Sequence, residues 1–311
     1  MLSYVLKRIG LMLVTLLAVV TLTFFMMRSI PGDPLASMAQ GLPAQTRANF
    51  YAKYGLDKPL VEQYFIYMKG LLKLDLGDSL QYAGRPVSQT IVETSGASAS
   101  VGSIALVIGL IIGIGAGIIA ALNKNRWPDY VVMVIAILGI TVPVFLLAAL
   151  LQYLFSVKLH WLPTSGWGGA RFMVIPVIVL SFGTIATYAR YIKSSMLDTL
   201  SQDYILTAKA KGLSQKQVIF RHVMRNSLLP AITILGSRIV GIFTGAFVVE
   251  RMFSIPGIGY YYISSINNND YTMILGVTLF YAALFIIVQF FVDFIYTLVD
   301  PRIRIGGMNK S

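Results

Sequence analysis

Residues 101–122 read VGSIALVIGLIIGIGAGIIAAL, an unbroken apolar run without one charged side chain. About 20 such residues, rising 1.5 Å each, cross a hydrocarbon core about 30 Å thick. Lipid offers no partner to a backbone N–H or C=O, so a run of this kind spans as a helix. Five further stretches qualify by the same rule: Ile9–Met27, Tyr130–Phe155, Met173–Tyr188, Leu228–Val249 and Met273–Leu298. The third and sixth are long enough to tilt. The fold class expected is an all-α membrane protein with six transmembrane helices.

The composition agrees with the spans. Of 311 residues, 56% are hydrophobic and 12% charged, too little charge for the surface of a soluble domain of this size. A formal charge of +12 would suggest nucleic acid in a soluble protein. Here the basic residues sit at the ends of apolar runs, where they set topology, and no nucleic-acid partner is expected. Cysteine is absent and only His160 and His222 are present, so no disulfide, thiolate site or multi-histidine metal site is expected.

Lysine and arginine in the short loops give the orientation. One side holds Lys7, Arg8, Lys124, Arg126, seven basic residues between Arg190 and Arg225, and Arg302, Arg304 and Lys310 in the tail. The opposite short loops hold only Lys158, Arg171 and Arg251. Both termini are therefore expected in the cytoplasm, with segment 31–99 outside. The first apolar run is longer than a secretory signal core, and Ser37-Met38-Ala39 lies some ten residues beyond it, which predicts an uncleaved first helix. The resulting division is 1–30 as the N-terminal helix, 31–99 as an external segment, 100–299 as a five-helix core with loop 190–227, and 300–311 as a cytoplasmic tail.

Small residues recur at spacing four. Gly109, Gly113 and Gly117 strip one face of the second span, and Ser237, Gly241 and Gly245 one face of the fifth. Such faces let helices approach closely, and ordinary bundle packing is the expectation for both. In the outer segment, Leu60, Tyr64, Tyr67 and Leu71 repeat with a helical period, which predicts a short amphipathic helix over Pro59–Leu74 on the outer membrane face.

Loop 190–227 is longer and more basic than a connector requires. Asp203 is placed to cap a helix over Tyr204–Lys211, with Gly212 as its stop. Gln215–Asn226 resumes a helical pattern, with Val218, Ile219, His222 and Val223 on one side. Composition leaves two readings open: a lipid-facing basic loop, or a docking helix for a soluble partner. No GxxxxGK[ST], GxSxG or HExxH pattern occurs, so neither P-loop ATP binding nor an enzymatic activity is expected.

Asp203-Tyr204-Ile205-Leu206-Thr207-Ala208-Lys209-Ala210-Lys211-Gly212-Leu213, followed by Arg221-His222-Val223-Met224-Arg225-Asn226-Ser227-Leu228-Leu229-Pro230, resembles the EAA-type motif of binding-protein-dependent ABC importers. More narrowly, it is similar to the B-type permease subunit of the oligopeptide/dipeptide/nickel family. Pro31-Gly32-Asp33-Pro34, Tyr54-Gly55-Leu56-Asp57-Lys58-Pro59-Leu60, Leu74-Asp75-Leu76-Gly77-Asp78-Ser79-Leu80, Ile255-Pro256-Gly257-Ile258-Gly259 and Asp300-Pro301-Arg302 extend the likeness in order along the chain. The chain has Leu206-Thr207-Ala208 where the general motif opens on glutamate, and Asp270-Tyr271-Thr272 where the family has a proline.

The resemblance implies a type I ABC importer permease in the bacterial cytoplasmic membrane. It implies a pore shared with a homologous second permease subunit, two cytoplasmic ATP-binding subunits, and an external substrate-binding protein that delivers a peptide. ATP and Mg would be bound by those partners and no cofactor by this chain. Nickel is the alternative cargo, and a secondary transporter the rival class. Tyr204, Thr207, Ala208, Lys209, Ala210, Lys211 and Gly212 would couple to an ATPase, with Ala208, Ala210 and Gly212 permitting close approach. Glu250, Pro256, Gly257 and Gly259 would form an external loop.

Arg238 and Asp293 are ionisable residues inside the fifth and sixth spans. Charge at such depth costs roughly 2.5–3.5 kcal/mol on insertion scales and turns toward a partner or water. Two readings follow: the two residues pair, or Arg238 faces a wet path while Asp293 reaches the interface.

Overall fold

The computed structural model describes residues 2–29, 43–53, 55–82 and 84–299. Pro31-Gly32-Asp33-Pro34, Tyr54 and the whole tail 300–311, with Asp300-Pro301-Arg302, lie outside the described residues. Among those described the chain is helical, with a single isolated β-bridge between Asp78 and Pro86. Four helices are long and apolar enough to cross a membrane: α1 (Leu2–Ser29), α4 (Val87–Leu122), α7 (Ala170–Leu200) and α13 (Tyr271–Val299). A bent pair passes the same test of length and composition when its halves are taken together, as a broken span or a re-entrant loop: α5 (Trp127–Thr141) with α6 (Val144–Gln152) and a π-helical turn over Tyr153–Lys158. The fifth predicted span falls on α11 (Leu229–Phe253), which carries Arg238 in its interior and Glu250 and Arg251 near its end.

The bent pair corrects the expectation of one long tilted span. The two halves meet at 106°. Val142 is extended (φ −74°, ψ 122°) because a residue before proline is pushed out of the helical region, and Pro143 brings no N–H to continue the ladder. Pro143 instead starts the next helix, where its carbonyl accepts from Leu146 and Leu147 N–H (3.0 and 3.1 Å).

The chain forms two compact units, residues 1–98 with 256–286, and residues 99–255 with 287–311. This partition departs from the linear division read from sequence: the outer segment shares a unit with the stretch after α11.

In the first unit, α2 (Ala44–Lys53) and α3 (Leu60–Leu71) precede a loop over residues 72–86. The predicted amphipathic helix is α3, shorter than expected at its C-terminal end. Its Tyr64 and Tyr67 pack on Phe24 of α1, with ring centroids 5.4 and 6.0 Å apart. Tyr64 Oη also shares a 2.8 Å hydrogen bond with Thr21 Oγ1. Burial pushes the Tyr67 phenol well above its usual range. Asp270, fully buried, holds the loop over residues 72–86 in place. Its carboxylate accepts from Leu80 N–H at 3.0 Å, from Met273 N–H at 3.1 Å, and from the Ser79 hydroxyl. One side chain thus caps α13 and ties down residues 190 positions earlier in the chain.

The second unit is built around α7. In the apolar window of α7 61% of residues are buried, against 11% in α1. Gly109, Gly113 and Gly117 of α4 meet it: a Cβ at Gly113 would stand 2.9 Å from Tyr188 Cβ and 3.0 Å from the Ile185 backbone, and one at Gly117 2.8 Å from Ala189 O. From another side Gly139 of α5 approaches Ala186 Cβ to within 2.8 Å of where its own Cβ would be. The glycine face of the second span is a packing face, as expected. The fifth span differs: a Cβ at Gly241 would meet nothing within 4 Å, and the close approach on α11 is at Gly236, toward Gln289 and Val292 of α13.

Candidate functional site

Loop 190–227 is a packed structure. α8 (Asp203–Ala210) starts one residue earlier than predicted, and Gln202, not Asp203, is its N-cap; Asp203 occupies the first turn, where a carboxylate suits the helix dipole. At its other end Gly212 takes φ +79°, as the sequence predicted for a stop. Leu213 N–H bonds Ala208 O (3.3 Å) and Gly212 N–H bonds Lys209 O (3.0 Å), the paired closure that satisfies the last carbonyls of a helix.

Ser214 then caps α9 (Gln215–Val218) reciprocally with Gln217. A π-helical turn over Ile219–Val223 leads into α10 (Met224–Ser227) and α11. Val218, Ile219 and Val223 are buried, together with Ile205 and Ala208 of α8, against Tyr188, Ile192 and Met196 of α7. Each Ile or Val leaving water here contributes about 1.5–3 kcal/mol. Ser227 Oγ donates toward Thr199 Oγ1 (3.1 Å), which ties the end of the loop to α7, and Tyr188 Oη donates to Ala231 O (3.0 Å), which bonds α7 directly to α11.

The seven coupling candidates do not share one face. Tyr204, Thr207, Lys209, Ala210, Lys211 and Gly212 are exposed, whereas Ala208 is buried. Ala208 therefore faces this chain's own core. The exposed surface includes two apolar residues that sequence reasoning passed over, Leu206 and Phe220, the latter 71% exposed. Their signal was present: each is an apolar residue out of phase with the buried set Ile205, Ala208, Val218 and Ile219. Asn226 Nδ2 donates to Tyr204 Oη at 2.7 Å and joins the two arms of the loop.

A second unforeseen element sits at the start of α5. Lys193 of α7 and Asp129 form an ion pair at 2.5 Å, with the aspartate side chain only 4% exposed. Asn125, at φ +60°, donates its N–H to the other carboxylate oxygen (3.0 Å). Removing Lys193 would leave the buried carboxylate without its compensating charge.

Arg238 lines a cleft of about 500 Å³ with Met133, Ile140, Thr187, Arg190, Tyr191 and Ser194. It also borders a smaller, mainly apolar cleft of about 190 Å³ that includes Gly139, Phe182, Gly183 and Gly241. The Asp293 side chain lies outside the described residues, and with it the choice between the pair and the wet-path reading. Of the external-loop candidates, Pro256 is exposed, while Glu250, Gly257 and Gly259 are buried. The Ile258 N–H between the two glycines donates to Ser98 Oγ at 2.9 Å.

The chain as a whole has counterparts among known proteins. A family model described as the binding-protein-dependent transport system inner membrane component matches residues 113–305. The chain belongs to this family. The companion model for the N-terminal part of such membrane components matches residues 1–86 of the permease. The permease is 43% identical over 305 residues to the dipeptide transport system permease protein DppB of Bacillus subtilis, covering 98% of this chain and 99% of that one. It is 40% identical over 307 residues to the oligopeptide transport system permease protein OppB of Haemophilus influenzae, covering 98% of this chain and 100% of that one.

Among solved structures, the permease resembles the inward-facing MetNI methionine ABC transporter. The TM-score is 0.55 at 14% identity, over 68% of this chain and 96% of that one. An amino acid ABC transporter aligns with a TM-score of 0.52 at 12% identity, over 70% of this chain and 95% of that one. At these identities the likeness concerns the fold, which is that of the type I ABC importer permease.

Proposed function

We propose that this chain is one of two membrane-spanning subunits of an ATP-driven peptide importer in the bacterial inner membrane. The observation that carries the reading is the identity of about 40%, end to end, with permeases named for dipeptide and oligopeptide transport. A homologous permease completes the pore, an external binding protein delivers the peptide, and two separate cytoplasmic subunits bind ATP and Mg and hydrolyse the nucleotide. The chain itself holds no cofactor. Tyr204, Leu206, Lys209, Lys211 and Phe220 form the surface on which an ATPase subunit docks, apolar at two points and basic around them. Because α8 packs into one core with α7 and the start of α11, a displacement of the loop moves those helices as a body rather than bending a tether.

The test is reconstitution of the complete complex in proteoliposomes. Receptor loaded with a short peptide should stimulate ATP hydrolysis and drive peptide into the lumen, and receptor offered nickel alone should do neither. Nickel uptake without peptide uptake would overturn the cargo assignment.

A further inference from the structure

Arg190, Tyr191 and Ser194 lie three, four and seven residues after Thr187 along α7, so the four occupy one helical face, and all four line the 500 Å³ cleft. The other face of the same helix, through Tyr188, Ala189 and Ile192, is buried against the glycines of α4. α7 therefore separates a packing side from a polar side. Arg238 of α11 lines the same cleft.

Arg190 stands just past the predicted end of its span at Tyr188, ten residues before the end of α7 at Leu200, and Arg238 follows the start of α11 at Leu229 by nine, inside its predicted span. An arginine inside a span, as Arg238 is, is costly unless it meets water, an anion or a carboxylate. Two arginines lining one cleft with Tyr191 and Ser194 make a station for an anionic group, because a guanidinium fork matches a carboxylate in two parallel hydrogen bonds.

We infer that Arg190 and Arg238 form a carboxylate-binding station on the translocation path, which takes the C-terminal carboxylate of the peptide as it moves inward. This rests on the peptide-import reading and adds to it the end of the cargo that the permease itself recognises. The apolar wall formed by Met133 and Ile140 tolerates varied side chains, while the carboxylate is the group common to every linear peptide.

The experiment compares tri-alanine with tri-alanine C-terminal amide, which lacks the carboxylate and carries no acidic side chain. Equilibrium binding of each peptide to the full complex without receptor is measured first, so that a receptor refusing the amide does not hide the answer. Uptake into proteoliposomes follows. The wild type should favour the free acid by about tenfold, the size of one charge-assisted hydrogen bond. Arg190→Gln and Arg238→Gln should each shrink that preference to within about twofold, and Arg238→Lys should retain part of it. Equal binding of acid and amide by the wild type, or a preference unchanged in Arg238→Gln, would overturn the inference. The peptide-import reading stands in either case if both peptides are transported, and falls only if neither is.

Discussion

The two helices that flank α7 carry the same spacing of small residues and use it in opposite ways. On α4, Gly109, Gly113 and Gly117 are pressed against α7 so closely that a single added carbon atom at any of them would fall within 3.0 Å of a neighbour. On α11, Gly241 faces open space and borders a cleft with Arg238. Glycine at spacing four removes one face from a helix; what enters the vacated space is settled elsewhere in the chain. In one case it is another backbone, in the other an open cleft.

The contrast predicts effects that differ in size and finally in sign. The largest belongs to the closed face. Gly113→Leu forces a side chain into the Ile185–Tyr188 backbone and should cost about 3 kcal/mol, the upper range for overpacking. Thermal unfolding of the purified complex measures it, and a variant as stable as wild type would break the comparison.

Gly212 is intermediate. No neighbour lies within 4 Å of its added Cβ, so space is not the obstacle; the left-handed backbone at φ +79° is. Gly212→Val should cost roughly 1–2 kcal/mol locally, unravel the end of α8, and lower peptide-driven ATP hydrolysis in a complex that still assembles. Gly212→Asn, which tolerates this conformation, should restore coupling. Equal loss in both variants would show that contact with a partner, not backbone geometry, governs the position.

The smallest effect belongs to the open face. Gly241→Ala meets nothing and removes a glycine from a helix interior, so it should raise stability by about 0.5 kcal/mol. Destabilisation there would mean that α11 is packed where the structure shows it open.

Much of the loop was legible because its signals are local. Gly212 as a stop and the buried set Val218, Ile219 and Val223 follow from period and from residues suited to left-handed turns. Less was legible where a residue acts at a distance. Asp270 reads as one acid in a loop, yet it organises Ser79 and Leu80 across 190 positions of sequence. Asp129 and Lys193 read as unrelated members of two basic loops until folding brings them to 2.5 Å. Ala208 belongs to a motif whose neighbours are exposed, and only the packing of α8 on α7 turns it inward.

By itself the sequence determined that this protein is helical and membrane-embedded, where α8 stops, and to which family the chain belongs. Those properties follow from transfer free energy and backbone preference, which are sums over neighbouring residues. The tertiary structure decided that the Val142–Pro143 step bends its span by 106°, that one glycine face closes while another opens, and that Arg190 and Arg238 line the same cleft. Each of these depends on which surface meets which. In lipid, where apolar faces gain little by meeting one another, that choice rests on close fit and on paired polar groups brought together from distant parts of the chain.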